Sequence, residues 1–104
     1  MFFTSKSDLS PQEFKDQLEA TEGTVIDCRT AGECAGGTWP GAQQLDWLKG
    51  EVHEALDGLD KSSTYFLYCR SGVRSAQAAH FMKASGFSNV HNVGGYNDIS
   101  DLAE

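Results

Sequence analysis

One cysteine of the chain stands where a reactive thiol is expected. Cys69 follows residues 64–68, an aromatic run typical of a buried strand, and a loop containing Gly72 leads from it into a helix predicted for residues 75–84. Ligands of open α/β sheets bind at the carboxyl ends of strands, and the free N–H groups at a helix start attract anions. Helix N-termini and nearby arginines lower a cysteine pKa, so we predict a nucleophilic thiolate rather than a buried apolar side chain.

The arginines strengthen this prediction because they are few and clustered. The chain has three: Arg29, Arg70 and Arg74. Two of them flank Cys69, and Arg29 directly follows a short β-branched run whose end could reach the same edge of a parallel sheet. In a chain of net charge -7, this grouping predicts a local site for an anion. The alternative to an anion-binding role is a structural ion pair with Asp27 or Glu33. We favour this alternative for Arg29 and disfavour it for Arg74.

Short apolar runs alternate with helical patterns along the whole chain. The runs that predict strands are residues 24–28, 41–45, 64–68 and 90–93. Capping boxes at Ser10–Glu13 and Thr30–Glu33 predict helix starts, and apolar spacing predicts a further helix over residues 48–59. No repeat or linker divides the chain. We therefore predict an α/β fold with one domain over residues 1–104, having a central parallel sheet of about five short strands and helices on both faces.

Composition excludes several classes of protein. Eight Lys and Arg residues against fifteen Asp and Glu argue against nucleic acid and anionic membranes as partners, since both require a basic surface. No apolar run approaches the ~20 residues of a membrane span, and the first six residues lack the pattern of a signal peptide. Three cysteines are an odd number and too few for a disulfide scaffold, so we expect a reducing, cytoplasmic location. No metal or dinucleotide pattern is present, and we expect no cofactor.

Four segments together resemble the rhodanese-like domain, of the single-domain thiosulfate sulfurtransferase type. They are residues 25–29 (VIDCR), 39–42 (WPGA), 69–75 (CRSGVRS) and 86–95 (GFSNVHNVGG). They follow the family's order along nearly the whole chain, and the segment at residues 69–75 is the specific one. The resemblance implies that a loop cysteine takes a sulfane sulfur from an anionic donor, becomes a persulfide, and passes the sulfur to a nucleophile.

Carried over residue by residue, the resemblance makes Cys69 the nucleophile. The substrate-binding residues that it implies are Arg70, Ser71, Gly72, Val73, Arg74 and Ser75. Their backbone N–H groups would cradle the donor and the persulfide, while Arg70 projects toward the substrate and Arg74 closes the loop by bonding its carbonyls. Asp27 and Arg29 are candidate supporting residues. The implied partners are a small anionic sulfur donor such as thiosulfate, a thiol or cyanide acceptor, and a protein of a sulfur relay.

Two other functions stay open at this point. Related phosphatases share the fold but carry five residues between the cysteine and the arginine and a histidine before the cysteine. Here four residues separate Cys69 from Arg74, and Tyr68 precedes the cysteine, which disfavours phosphatase action. The second alternative is a non-catalytic module that binds anions or proteins. We rank it lower because the chain keeps the cysteine with both arginines.

The chain also departs from the family pattern. Thr38 and Trp39 stand where many members have His-Ile, and Cys28 and Cys34 replace the usual aliphatic and aromatic residues. We interpret both cysteines as core substitutions, with a resolving thiol as the alternative. The acidic stretch at residues 46–60 is interpreted as a solvated helix face, the alternative being a docking surface for a basic partner.

Overall fold

Four parallel strands form the sheet, in the order β2-β1-β3-β4. The computed structural model describes residues 7–103. The first six residues, in which the sequence shows no signal-peptide pattern, lie outside the described part of the chain. The elements are α1 (Pro11–Thr21), β1 (Thr24–Asp27), α2 (Ala31–Cys34), β2 (Gln43–Gln44), α3 (Glu51–Ala55), β3 (Thr64–Cys69), α4 (Val73–Ala84), β4 (Asn89–Gly95) and α5 (Tyr96–Ile99). Short 3₁₀ turns follow α3 and α5 at Leu56–Gly58 and Ser100–Leu102.

The predicted parallel sheet with helices on both faces is confirmed, but the described residues contain four strands where we expected about five. Each of the four apolar runs seen in the sequence supplies one strand, and helices and turns fill the chain between them. Two boundaries also differ. The second strand shrinks to Gln43–Gln44, and the helix predicted over residues 48–59 breaks into α3 and a 3₁₀ turn.

Alternating side chains of the strands build a core on each face of the sheet. On one face, Ile26 of β1 and Leu67 of β3 pack with α3 and α4. On the other face, Val25 and Phe66 pack with Phe14 of α1, whose ring meets the Trp39 ring edge-on at 4.8 Å between centroids. This two-sided burial follows from the period of two along a strand, because successive side chains point to opposite faces.

Side-chain caps hold the first two helices at the positions that the sequence predicts. The Ser10 hydroxyl accepts a hydrogen bond from the Glu13 N–H, and the Glu13 carboxylate accepts one from the Ser10 N–H. Thr30 and Glu33 repeat this arrangement at α2. Within residues 7–103, no helix has the length and apolar character needed to cross a membrane.

Candidate active site

Cys69 is the last residue of β3 and is completely buried. Since β3 lies between β1 and β4, the residue occupies the centre of the carboxyl edge of the sheet. The chain then turns through Gly72, whose φ of 99° lies in the left-handed region, and α4 begins at the next residue. This turn aims the start of α4 at the thiol, as the sequence predicts, although the helix begins two residues earlier than the predicted start at Ser75.

Hydrogen bonds converge on the Cys69 sulfur. The Gly72 N–H donates to Sγ at 3.0 Å, and the Ser75 hydroxyl lies 3.5 Å from it. Burial raises the pKa of Cys69, but the bonds from the Ser75 side chain and from the N–H groups of Ser75, Gly72 and Ser71 outweigh it. The net pKa is lowered, in the predicted direction. The sequence analysis named the helix N-terminus and the arginines as causes, and the donors seen here are the Ser75 hydroxyl and the backbone N–H groups at the start of α4.

Arg74 does not take the place that the sequence analysis gave it. Its guanidinium donates to both oxygens of Glu33, with NH1–Oε1 at 2.7 Å and NH2–Oε2 at 2.8 Å, rather than to carbonyls of the loop. The expectation that Arg74 has no ion-pair partner was therefore wrong. Glu33 lies on α2, 41 residues away along the chain, so the pair fastens α4 to α2 beside Cys69. The hydrogen bonds from Arg74 and its positive charge hold the pKa of Glu33 at about 2.

Arg29 forms the buried ion pair with Asp27 that we favoured. Nε lies 3.0 Å from Oδ1 and NH2 lies 2.8 Å from Oδ2, while NH2 also donates to the Gly37 carbonyl at 2.7 Å. The Tyr68 hydroxyl donates to Asp27 Oδ2 at 2.6 Å, and the Arg29 guanidinium covers the Tyr96 ring at 4.4 Å. Burial raises the Asp27 pKa, yet the bonds from Arg29 and Tyr68 prevail and lower it.

Arg70 remains exposed, beside an open pocket of about 230 Å³. The residues that line this pocket are Arg29, Glu33, Arg70, Tyr96 and Asn97. Cys69 does not line it, because the loop covers the sulfur. The loop backbone itself rests on β4, since a Cβ at Gly95 would come within 2.5 Å of the Arg70 carbonyl oxygen.

Asn92 is a site residue that the sequence analysis missed. It is almost fully buried on β4, where its Oδ1 lies 2.7 Å from the Ser75 hydroxyl and its Nδ2 donates to the Gly72 carbonyl at 3.2 Å. The strand pairing is irregular here, since Leu67 pairs with Asn92 and Tyr68 with Gly94. A polar amide inside an apolar strand was the signal that could have found it.

The two remaining cysteines differ from each other. Cys28 is buried in the same core cluster as Cys69, as predicted, and burial raises its pKa well above the ordinary range. Cys34 is only partly buried, so the prediction of a core residue fails there. Burial and a hydrogen bond to Asp27 raise the pKa of Cys34 to about 11. Neither thiol ionises readily, which disfavours the alternative of a resolving thiol.

The family model of the rhodanese-like domain matches residues 10–102. The chain belongs to the rhodanese-like domain family. YtwF of Bacillus subtilis, named as a candidate sulfurtransferase, is 34% identical over 85% of this chain and 84% of its own length. YrkF of the same organism, named as a candidate sulfur carrier protein, is 31% identical over 86% of the chain, which spans only 48% of YrkF.

Solved structures agree on the architecture of this rhodanese-like domain. A rhodanese-like domain protein from Staphylococcus aureus superposes with a TM-score of 0.76 at 28% identity, covering 88% of each chain. The resemblance stated from the four sequence segments is therefore confirmed at the level of family and fold.

Proposed function

We propose that this protein is a sulfurtransferase that moves a sulfane sulfur from thiosulfate or a persulfide donor to a thiol or cyanide acceptor through a Cys69 persulfide. One observation carries the proposal. The Cys69 sulfur ends the central strand, receives the Gly72 N–H at 3.0 Å, and has a lowered pKa at the start of α4.

The reaction consists of two displacements at sulfur. The Cys69 thiolate attacks the outer sulfur of thiosulfate, the S–S bond of the donor breaks, and sulfite leaves with the bonding electrons. The Sγ–S bond so formed is then broken by an acceptor thiolate or cyanide, which takes the sulfur and returns the thiolate to Cys69. The lowered pKa of Cys69 favours the thiolate, so the mechanism assigns no residue the role of a base. No external oxidant or reductant is consumed.

The loop residues divide the remaining work. The N–H groups of Ser71, Gly72 and Ser75 stabilise the anionic sulfur in both states. The exposed Arg70 attracts the donor from the rim of the pocket. Arg74 acts indirectly, since its bond to Glu33 fixes the first turn of α4. Asp27 and Arg29 hold the neighbouring strand end in place.

A protein donor or acceptor is part of the proposal. The name of YrkF assigns it to sulfur carriers, and that of YtwF to sulfurtransferases, which supports a place for this chain in a sulfur relay. The three cysteines are free, which fits a reducing compartment such as the cytoplasm.

The decisive experiment is loading with thiosulfate followed by intact-protein and peptide mass spectrometry. We expect a gain of one sulfur atom on the peptide with Cys69, removed again by an excess of a small thiol. Cys34→Ser is the matched control and should load like the parent, whereas Cys69→Ser should not load. Equal loading of Cys69→Ser would refute the mechanism.

The complete burial of Cys69 favours a second candidate, a non-catalytic module that binds anions or a partner protein. Such a module would bind thiosulfate, measured by calorimetry, with no gain of mass and no release of sulfite. Release of one sulfite for each sulfur atom loaded on the protein would exclude the non-catalytic module.

A further inference from the structure

The Ser75 hydroxyl faces two acceptors but has a single proton. Its oxygen lies 2.7 Å from Asn92 Oδ1 and 3.5 Å from Cys69 Sγ. A hydroxyl donates one hydrogen bond, so it cannot donate to both at once. The 2.7 Å distance is that of a strong O–H···O bond. The contact with the larger sulfur atom is longer, at 3.5 Å.

The orientation of the Asn92 amide is fixed by its other neighbours. The Gly94 N–H donates to Oδ1 at 3.1 Å, and Nδ2 donates to the Gly72 carbonyl at 3.2 Å. A reversed amide would set two donors against each other at Gly94 and two acceptors at Gly72. The atom beside Ser75 is therefore Oδ1, which cannot donate, so the proton between the two oxygens belongs to Ser75.

We propose that Asn92 is a positioning residue that competes with the Cys69 sulfur for the Ser75 proton and thereby limits how far Ser75 stabilises the thiolate. The inference rests on the proposed function in one respect, because the thiolate concerned is the one that sulfur transfer requires. To donate to the thiolate, Ser75 must turn away from Asn92 and give up a short hydrogen bond. The thiolate is thus kept less stabilised than the loop could make it, and a less stabilised thiolate is the better nucleophile.

Charged and titratable groups surround this network on every side. Arg74 on α4 and Cys28 at the end of β1 interact electrostatically with Cys69, and Asp46 after β2 interacts with Arg74. Asp8 accepts a hydrogen bond from the Asn92 N–H. Replacing the Asn92 or Ser75 side chain removes none of these four groups, so a double-mutant cycle between the two residues isolates the shared proton.

The test is the pH dependence of iodoacetamide labelling at Cys69, followed by peptide mass spectrometry, in Asn92→Leu, Ser75→Ala and the double variant. Leucine leaves Ser75 with the sulfur as its acceptor. We expect Asn92→Leu to lower the Cys69 pKa by the worth of one hydrogen bond, about 2- to 10-fold in the ionisation constant. The labelling rate on the acidic side of the profile should rise by a smaller factor, because the better-stabilised thiolate is the weaker nucleophile. In the Ser75→Ala background the same substitution should bring no such gain. Asn89→Leu, an exposed position on the same strand, is the matched control and should leave the profile unchanged.

A residue that merely holds the loop together predicts the opposite. Loss of its hydrogen bond to the Gly72 carbonyl would then raise the Cys69 pKa. A raised pKa or an unchanged pH profile in Asn92→Leu would overturn the proposal. A gain in labelling rate that persists in the Ser75→Ala background would overturn it as well. If Asn92→Leu does not fold, Asn92→Asp serves instead. The Asp carboxylate attracts the Ser75 proton more strongly than the amide does. Asn92→Asp should therefore raise the Cys69 pKa more in the parent protein than in the Ser75→Ala variant, and equal rises would defeat the proposal. Labelling needs no sulfur donor, so a failure of sulfur loading in the parent protein would be recognised separately.

Discussion

At the scale of single residues, the thiols of this protein differ in ionisation because their surroundings differ. Cys69 receives N–H groups and has a lowered pKa, whereas burial dominates at Cys28 and Cys34 and raises theirs. The difference arises from the groups that surround each sulfur, since all three residues have the same side chain. A buried sulfur is reactive only where donors replace the water that it has lost.

This ordering predicts selective labelling. In limited iodoacetamide at neutral pH, Cys69 should be labelled first and Cys34 far later, with Cys28 last, because only the thiolate reacts. Peptide mass spectrometry over time measures the order. Labelling of Cys34 before Cys69 would contradict the assignment of the nucleophile.

The exposed side chain of Arg70 should act on binding rather than on turnover. We expect Arg70→Ala to raise the KM for thiosulfate about 10-fold, the low end for a hydrogen bond to a charged group at an exposed site, with kcat nearly unchanged. Arg70→Lys should restore part of the loss, because a positive charge suffices there. Lys83→Ala, at the far end of α4, is the control for general charge, and an equal effect of both variants would show that Arg70 has no local role.

At the scale of elements, α4 is held in position from two sides. The Arg74–Glu33 pair joins its first turn to α2, and Asn92 joins the residue before it to β4. The turn that carries the N–H groups toward Cys69 is therefore bonded to elements on both sides of it. Such bracing keeps the N–H donors aligned toward Cys69.

The pair between α4 and α2 predicts a loss of stability in acid. Arg74 holds the pKa of Glu33 at about 2, below its ordinary 4.5. The folded protein favours the carboxylate, so the contribution is complete above pH 4.5 and is lost as the pH falls toward 2. Arg74→Gln should lower the free energy of unfolding by about 1 kcal/mol at neutral pH, and the deficit should shrink through that window.

Urea unfolding at several pH values measures this deficit. Lys83→Gln is the control, because its contact with Asp8 is exposed and long, at 3.9 Å. A deficit of the same size at pH 2 and at neutral pH would mean that Arg74 stabilises α4 by packing and not by its charge.

At the scale of the whole molecule, local patterns predicted more than long-range pairings did. The four apolar runs, both capping boxes and the cysteine at the strand end follow from neighbouring residues, and all are found. The partner of Arg74 and the role of Asn92 depend on residues far along the chain that only the folded sheet brings together. The sequence offered Asp27 and Glu33 as acids for the arginines, and the fold pairs Asp27 with Arg29 and Glu33 with Arg74.

The complete burial of Cys69 has a consequence for how other molecules meet this protein. The unloaded site presents the side chains that line the pocket, Arg70 and Glu33 among them, while the buried Cys69 sulfur is out of reach of bulky reagents. In the proposed reaction, a Cys69 persulfide lengthens this side chain by one S–S bond, ~2 Å, which is about the depth of a single atomic layer. Loading would therefore make the added sulfur the outermost reactive atom of the side chain. In the proposed reaction, an acceptor protein would therefore meet a different outermost atom on the loaded protein than on the unloaded one.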